Sequence, residues 1–181
     1  MRKYFILISI LYTSSLSGCS LFFGNIKPSE EKSSHYSVEE LSKSTPGWRK
    51  LVGPTDGETS DFSRPDVSYE SEKSAAVISM TSGCRSPGDA HSANSLTEQT
   101  RGLLFGIAKV NFESVSKIQI DHTDALWSKV TGELNGEPVK FEIIVTQKSN
   151  CFYDLVLVGR PPFSRQDQEV FAHFVSTFHF N

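Results

Sequence analysis

Residues 125–158 read ALWSKVTGELNGEPVKFEIIVTQKSNCFYDLVLV. Three apolar-rich runs, Ala125–Leu134, Pro138–Gln147 and Cys151–Val158, are separated by two short polar breaks. The first break is Asn135-Gly136. Both central positions of a type I′ turn need positive φ, which Asn tolerates and Gly adopts freely, so this dipeptide predicts a tight hairpin. Lys148-Ser149-Asn150 predicts a second hairpin loop. Three strands joined by consecutive hairpins run antiparallel, as a meander.

Outward from this core, Pro161-Pro162 stops the last strand, because proline has no amide proton to give a ladder. Ser164 stands where a helix cap is expected, and Val170, Phe171, Phe174, Val175 and Phe178 recur at helical spacing. A Phe stripe of that kind is core rather than ligand site. It lays the helix on the sheet, with His173 and His179 at its polar border. On the other side, Ser116–Ile120 predicts a strand, joined to the meander by Asp121-His122-Thr123-Asp124 as a solvated connection. Ser95-Leu96-Thr97-Glu98 is a capping box, in which the Ser oxygen and Glu carboxylate satisfy open amide donors at a helix start. Its helix is expected to run to about Lys109, with Leu96, Leu103, Leu104 and Ile107 as the apolar stripe. Gly102 and Gly106, four apart, are placed for close packing on a sheet. Further upstream, Ala75–Thr81 predicts a strand, and residues 48–52 and 67–70 two short ones around a loop at 53–66. The fold class is α+β: an antiparallel β-sheet, a meander in its second half, packed by two helices.

A chain with 38% hydrophobic and 22% charged residues is not collagenous, coiled-coil or polytopic in a membrane. A net charge of -3 has the wrong sign for a nucleic-acid partner. The order of strands, helix, meander and C-terminal helix resembles the PsbP/Mog1-like fold. Arg101-Gly102-Leu103-Leu104-Phe105-Gly106, Gly132 to Val139, Cys151-Phe152-Tyr153-Asp154 and Phe174-Val175-Ser176-Thr177-Phe178 resemble motifs of uncharacterised bacterial lipoproteins. The resemblance spans about residues 47–180. PsbP-like proteins support membrane complexes and Mog1-like ones bind a GTPase, so it implies a binding role and transfers no catalytic residue.

The N-terminus reads as an address. Arg2 and Lys3 precede a mostly apolar run from Tyr4 to Leu16, too short for a hydrocarbon core that needs roughly 20 residues. Leu16-Ser17-Gly18-Cys19 follows and resembles a bacterial lipobox, which implies cleavage before Cys19 and acylation of its thiol. An ordinary secretory signal with an incidental Cys is the competing reading. Ser20, where Asp would signal inner-membrane retention in such proteins, implies an outer-membrane anchor facing the periplasm. The expected organisation is a signal peptide at 1–18, a lipidated Cys and flexible tether at 19–47, and one α+β domain at 48–181.

With Cys19 acylated, Cys84 and Cys151 remain, in an oxidising compartment. If the strands they end and begin are antiparallel neighbours, the two thiols lie within bridging reach. A disulfide is expected over two buried thiols. No CxxC spacing suggests zinc, and no metal or cofactor is expected.

A nucleophile elbow, a P-loop, a dinucleotide fingerprint and HExxH are all missing from the sequence. Arg85, Asp89 and His91, in the turn-rich loop after Cys84, form a candidate binding loop; with Ser92 the last two would also supply a hydrolase. Asp121, His122 and Asp124 are the densest set of candidate ligands, read first as surface. Asp154 interrupts an apolar strand and, if buried, is expected to pair with Arg101 or Arg160. The leading expectation is a non-enzymatic module that binds an envelope protein and reaches membrane lipid through Cys19. A carrier with Phe residues lining a cavity between helix and sheet comes second, a hydrolase third.

Overall fold

A computed structural model describes residue 33 and residues 35–51, 65–84 and 95–181. In chain order its elements are β1 (Tyr36–Ser37), α1 (Leu41–Ser44), β2 (Trp48–Lys50), β3 (Val67–Ser71), β4 (Val77–Cys84), α2 (Leu96–Leu103), β5 (Ala108–Ile120), β6 (Thr123–Leu134), β7 (Glu137–Lys148), β8 (Cys151–Gly159), α3 (Arg165–Ser176) and β9 (His179–Phe180). Seven strands form one sheet in the order β2-β3-β4-β8-β7-β6-β5, every neighbour antiparallel, and β1 pairs with β9 in a small second sheet.

Strands β5 to β8 are a continuous meander closed by three two-residue turns. Asn135 and Gly136 have φ of 53° and 84°, and Ser149 and Asn150 have 51° and 65°, the left-handed pair that a type I′ turn requires. The third turn is Asp121-His122, at 44° and 63°, where a looser connection was expected. Asp and His lie among the non-glycine types that tolerate this region best, so the tight turn forms without a glycine.

Each face of the sheet is covered over part of its area. On one, Phe171, Phe174 and Phe178 of α3 and its exit pack on Tyr69, Ile78, Met80, Tyr153, Leu155 and Leu157. On the other, Leu96, Leu104 and Ile107 cover Leu126, Val130, Val139, Phe141, Ile143 and Val145. Burial on both faces explains why β7 reads as the unbroken run Phe141-Glu142-Ile143-Ile144-Val145 instead of alternating. Both longer helices open with closed capping boxes, Ser95 with Glu98 and Ser164 with Asp167.

Three expectations need correction. Helix α2 ends at Leu103, six residues before Lys109, because the chain turns through Leu104 to Gly106, whose φ of 85° is left-handed. Gly106 therefore serves the turn, and a Cβ on Gly102 would meet nothing within 4 Å, so neither glycine marks a close approach. Of the freed residues, Ala108 and Lys109 open a strand that spans 108–120 rather than 116–120.

The stretch read as tether also belongs partly to the fold. Leu41 is fully buried, Tyr36 stacks on Phe178 with ring centroids 5.9 Å apart, and the Ser33 hydroxyl shares a 2.8 Å hydrogen bond with Tyr153. Lone anchors in a polar stretch leave no periodicity to read. Residues 1–32, with the signal segment and Cys19, lie outside the described residues. Cys84 and Cys151 are register partners in β4 and β8 and are joined by a disulfide, as the strand arrangement predicted.

Candidate functional site

Two features of the β5–β7 half of the sheet stand out once the helices are placed. The first is a step between α3 and the sheet face it leaves uncovered. Ile118, Trp127 and Ile144 form its floor and Phe171, Ala172 and Val175 its wall, enclosing an open groove of about 460 Å³. Its polar end holds Lys129, Glu142, Arg165, Gln168 and Glu169.

Glu142 is the unusual member. It faces Lys129 across the β6–β7 ladder and is 2% exposed. Its Oε1 accepts a 2.9 Å hydrogen bond from Gln168 Nε2 and lies 3.4 Å from Lys129 Nζ. Its Oε2 has no hydrogen-bond partner among the described residues, and it is not among the polar atoms sealed from the surface. A carboxylate has about four acceptor positions, so this one retains capacity on the groove side. Lys129 Nζ also sits 5.1 Å from the centroid of the Trp127 ring. Sequence reasoning missed Glu142; the available signal was one charge inside an otherwise apolar five-residue run.

The second feature is β5 itself, the last strand of the sheet, exposed from Ala108 to Lys117. Among the described residues no strand pairs with its outer side, which leaves that row of backbone donors and acceptors open. Val110, Phe112 and Val115 are exposed on it, with Phe105 (77% exposed), Leu103 and Leu134 at the same end. Register shifts between Ala108 and Asn111 and between Phe112 and Ser114 interrupt its pairing with β6. Lys109 pairs with Glu133 and Glu113 with Lys140, whereas Lys117 has no ion-pair partner among the described residues.

Of the candidate ligands at 121–124, Asp121 is set apart from the other three. Asp121 Oδ2 accepts a 2.9 Å hydrogen bond from the Phe180 amide, with His179 Nδ1 3.7 Å from its other oxygen. The amide bond, foremost, holds its carboxyl below the usual range. His122, Thr123 and Asp124 line a shallow polar hollow with Leu96 and Gln147. Among the described residues no three His, Cys, Asp or Glu side chains are grouped to hold a metal ion. Asp154 is buried and accepts from Gln99 Nε2 of α2, and Gln99 accepts in turn from Gln147 at 2.9 Å. The expectation of Arg101 or Arg160 left out Gln99, an amide that α2 brings to this face of the sheet. Arg85, Asp89, His91 and Ser92 lie outside the described residues. Among the described residues no helix is long and apolar enough to cross a membrane.

No protein-family model matches the chain, and no curated protein matches it in sequence. Among solved structures it is similar to the cyanobacterial PsbP of Synechocystis, with a TM-score of 0.52 and 11% identity over 87% of this chain and 96% of that one. A Pseudomonas aeruginosa protein of unknown function aligns with a TM-score of 0.46 and 14% identity, over 79% and 95%. A Bacteroides thetaiotaomicron protein aligns with a TM-score of 0.43 and 14% identity, over 75% and 42%. The PsbP likeness carries the comparison, and what it shows is the fold: an α+β domain of PsbP-like architecture.

Proposed function

We propose that this chain is a lipid-anchored, periplasm-facing protein of the outer membrane whose domain is a non-catalytic binding module for an envelope protein. The observation that carries the binding role is the open edge of β5 beside an exposed apolar corner. Such an edge accepts an extended segment by adding a strand, with main-chain hydrogen bonds giving affinity and side chains giving choice. The fitting segment carries apolar residues opposite Phe112 and Val115 and a carboxylate opposite Lys117. The two register shifts and the charges of Lys109 and Glu113 guard the edge against indiscriminate pairing. The loop with Arg85, Asp89 and His91 is proposed as a second contact surface. Acylation of Cys19 supplies the membrane partner, and the Leu16-Ser17-Gly18-Cys19 site and a disulfide suited to an oxidising compartment support that address.

The test is site-specific photocrosslinking in intact cells from positions 112 and 89, with palmitate labelling of the same cultures. The expected result is one envelope protein captured from position 112 in the membrane fraction, its yield cut at least severalfold by Lys117→Glu. Label should disappear with Cys19→Ala. Capture unchanged by Lys117→Glu, or label that persists without Cys19, overturns the corresponding part. A second reading, a small-molecule carrier, is favoured by the groove between α3 and the sheet. Its volume lies within the roughly 300–1,000 Å³ of ligand sites.

A further inference from the structure

We infer that the groove between α3 and the β5–β7 face takes a small apolar molecule bearing a hydroxyl group, held by Glu142 and Lys129. This rests on the carrier reading and names its ligand class. The groove has an apolar floor and wall, from Ile118, Trp127 and Ile144 to Phe171 and Val175. That lining accepts a hydrocarbon or aromatic body and excludes a fully polar one.

The polar end decides the head group. Glu142 is almost completely buried, yet one carboxylate oxygen has no hydrogen-bond donor among the described residues. A buried carboxylate with open acceptor capacity favours a ligand donor. Lys129 Nζ, 3.4 Å from the other oxygen, narrows the choice. A ligand carboxylate would be repelled by Glu142, and a ligand ammonium by Lys129. A hydroxyl satisfies both: its O–H donates to Glu142 Oε2 while its lone pair accepts from Lys129. Gln168 Nε2, donating to Oε1 at 2.9 Å, leaves Oε2 as the ligand's acceptor. Trp127 lines the same groove, so an aromatic body stacks beside a natural fluorophore.

The experiment uses the full lipidated chain in phospholipid nanodiscs, titrated with 2-naphthol and with naphthalene, and follows tryptophan fluorescence against empty nanodiscs. Naphthol should bind at least about tenfold more tightly than naphthalene, because a site built around a hydroxyl rejects the analogue without one. Glu142→Gln should shrink that ratio severalfold with naphthalene affinity unchanged. Trp127→Phe should remove the signal; a signal that survives comes from Trp48 and overturns the location. Equal binding of both probes leaves a carrier but overturns the hydroxyl assignment. Binding of neither overturns both. The comparison of probes on the unaltered protein stands even if Glu142→Gln fails to fold.

Discussion

One side chain in the 121–124 run has a role the others do not share. Asp121 sits in the turn between β5 and β6, where its left-handed backbone aims the carboxylate at the C-terminal strand. Its hydrogen bond from the Phe180 amide is the main reason its carboxyl titrates below the usual range, with His179 and Lys148 adding to it. The ionised form is therefore the one that holds β9, where the Phe180 ring also lies 4.4 Å from Lys148 Nζ. A lowered folded pKa contributes stability above the unfolded value, near 4, and loses it as pH falls through the folded value. Followed by NMR from pH 7 to 2.5, the Phe180 amide proton should hold steady above pH 4 and then move upfield as the bond weakens. Asp121→Asn should flatten that titration. A Phe180 amide that titrates alike in both proteins would assign the bond no role.

At the scale of elements, legibility followed exposure. The three meander strands were readable because β7 and β8 bury continuous apolar runs and their turns use Asn-Gly and Ser-Asn pairs. Helix α3 was readable from its Phe stripe. Strand β5 was readable only over Ser116–Ile120, because an edge strand exposed on both faces leaves no alternation in its first ten residues. Leu103, Leu104 and Ile107 then extended the helical pattern into it. Leu104 and Ile107 do bury, but from the turn and the strand entrance rather than from a helix. A cavity between helix and sheet was expected with a Phe lining, but its actual lining was hidden, since Trp127, Glu142 and Gln168 meet only through the sheet register and the seating of α3. The β5–β6 crossing supplies its own test at Gly132. A Cβ there would lie 2.5 Å from Ile107 Cγ2 and 2.9 Å from the Ala108 carbonyl oxygen. The second neighbour is backbone and cannot rotate away. Gly132→Ala should cost roughly 1–3 kcal/mol, as overpacking does. Urea unfolding should show a lower midpoint, whereas Gly102→Ala, with open space around it, should not fall. Equal midpoints for the two variants would contradict the close approach of the β5 entrance to β6.

The whole sheet is assembled from two sequence halves, β2–β4 and β5–β8, that meet along β4 and β8. Their seam runs over eight register pairs, from Val77 opposite Val158 to Cys84 opposite Cys151, and the disulfide closes its last rung. Helix α2 and three strands lie in the chain between those cysteines, so pairing the halves without the bridge requires closing a long loop. For a separation of 67 residues the chain-entropy argument puts the bridge at roughly 4 kcal/mol. In a domain of this size that corresponds to a shift in Tm of roughly 8–16 °C. The Cys84→Ser, Cys151→Ser double variant should melt that much below the unaltered protein in oxidising buffer. After reduction the two should melt together, because the open loop is then common to both. Thiol titration of the native oxidised protein should find neither Cys84 nor Cys151 free. If the double variant and the oxidised protein melt at the same temperature, the seam is held by the β4–β8 ladder and the packing of α3 alone. The bridge would then be a consequence of the compartment rather than a support of the fold.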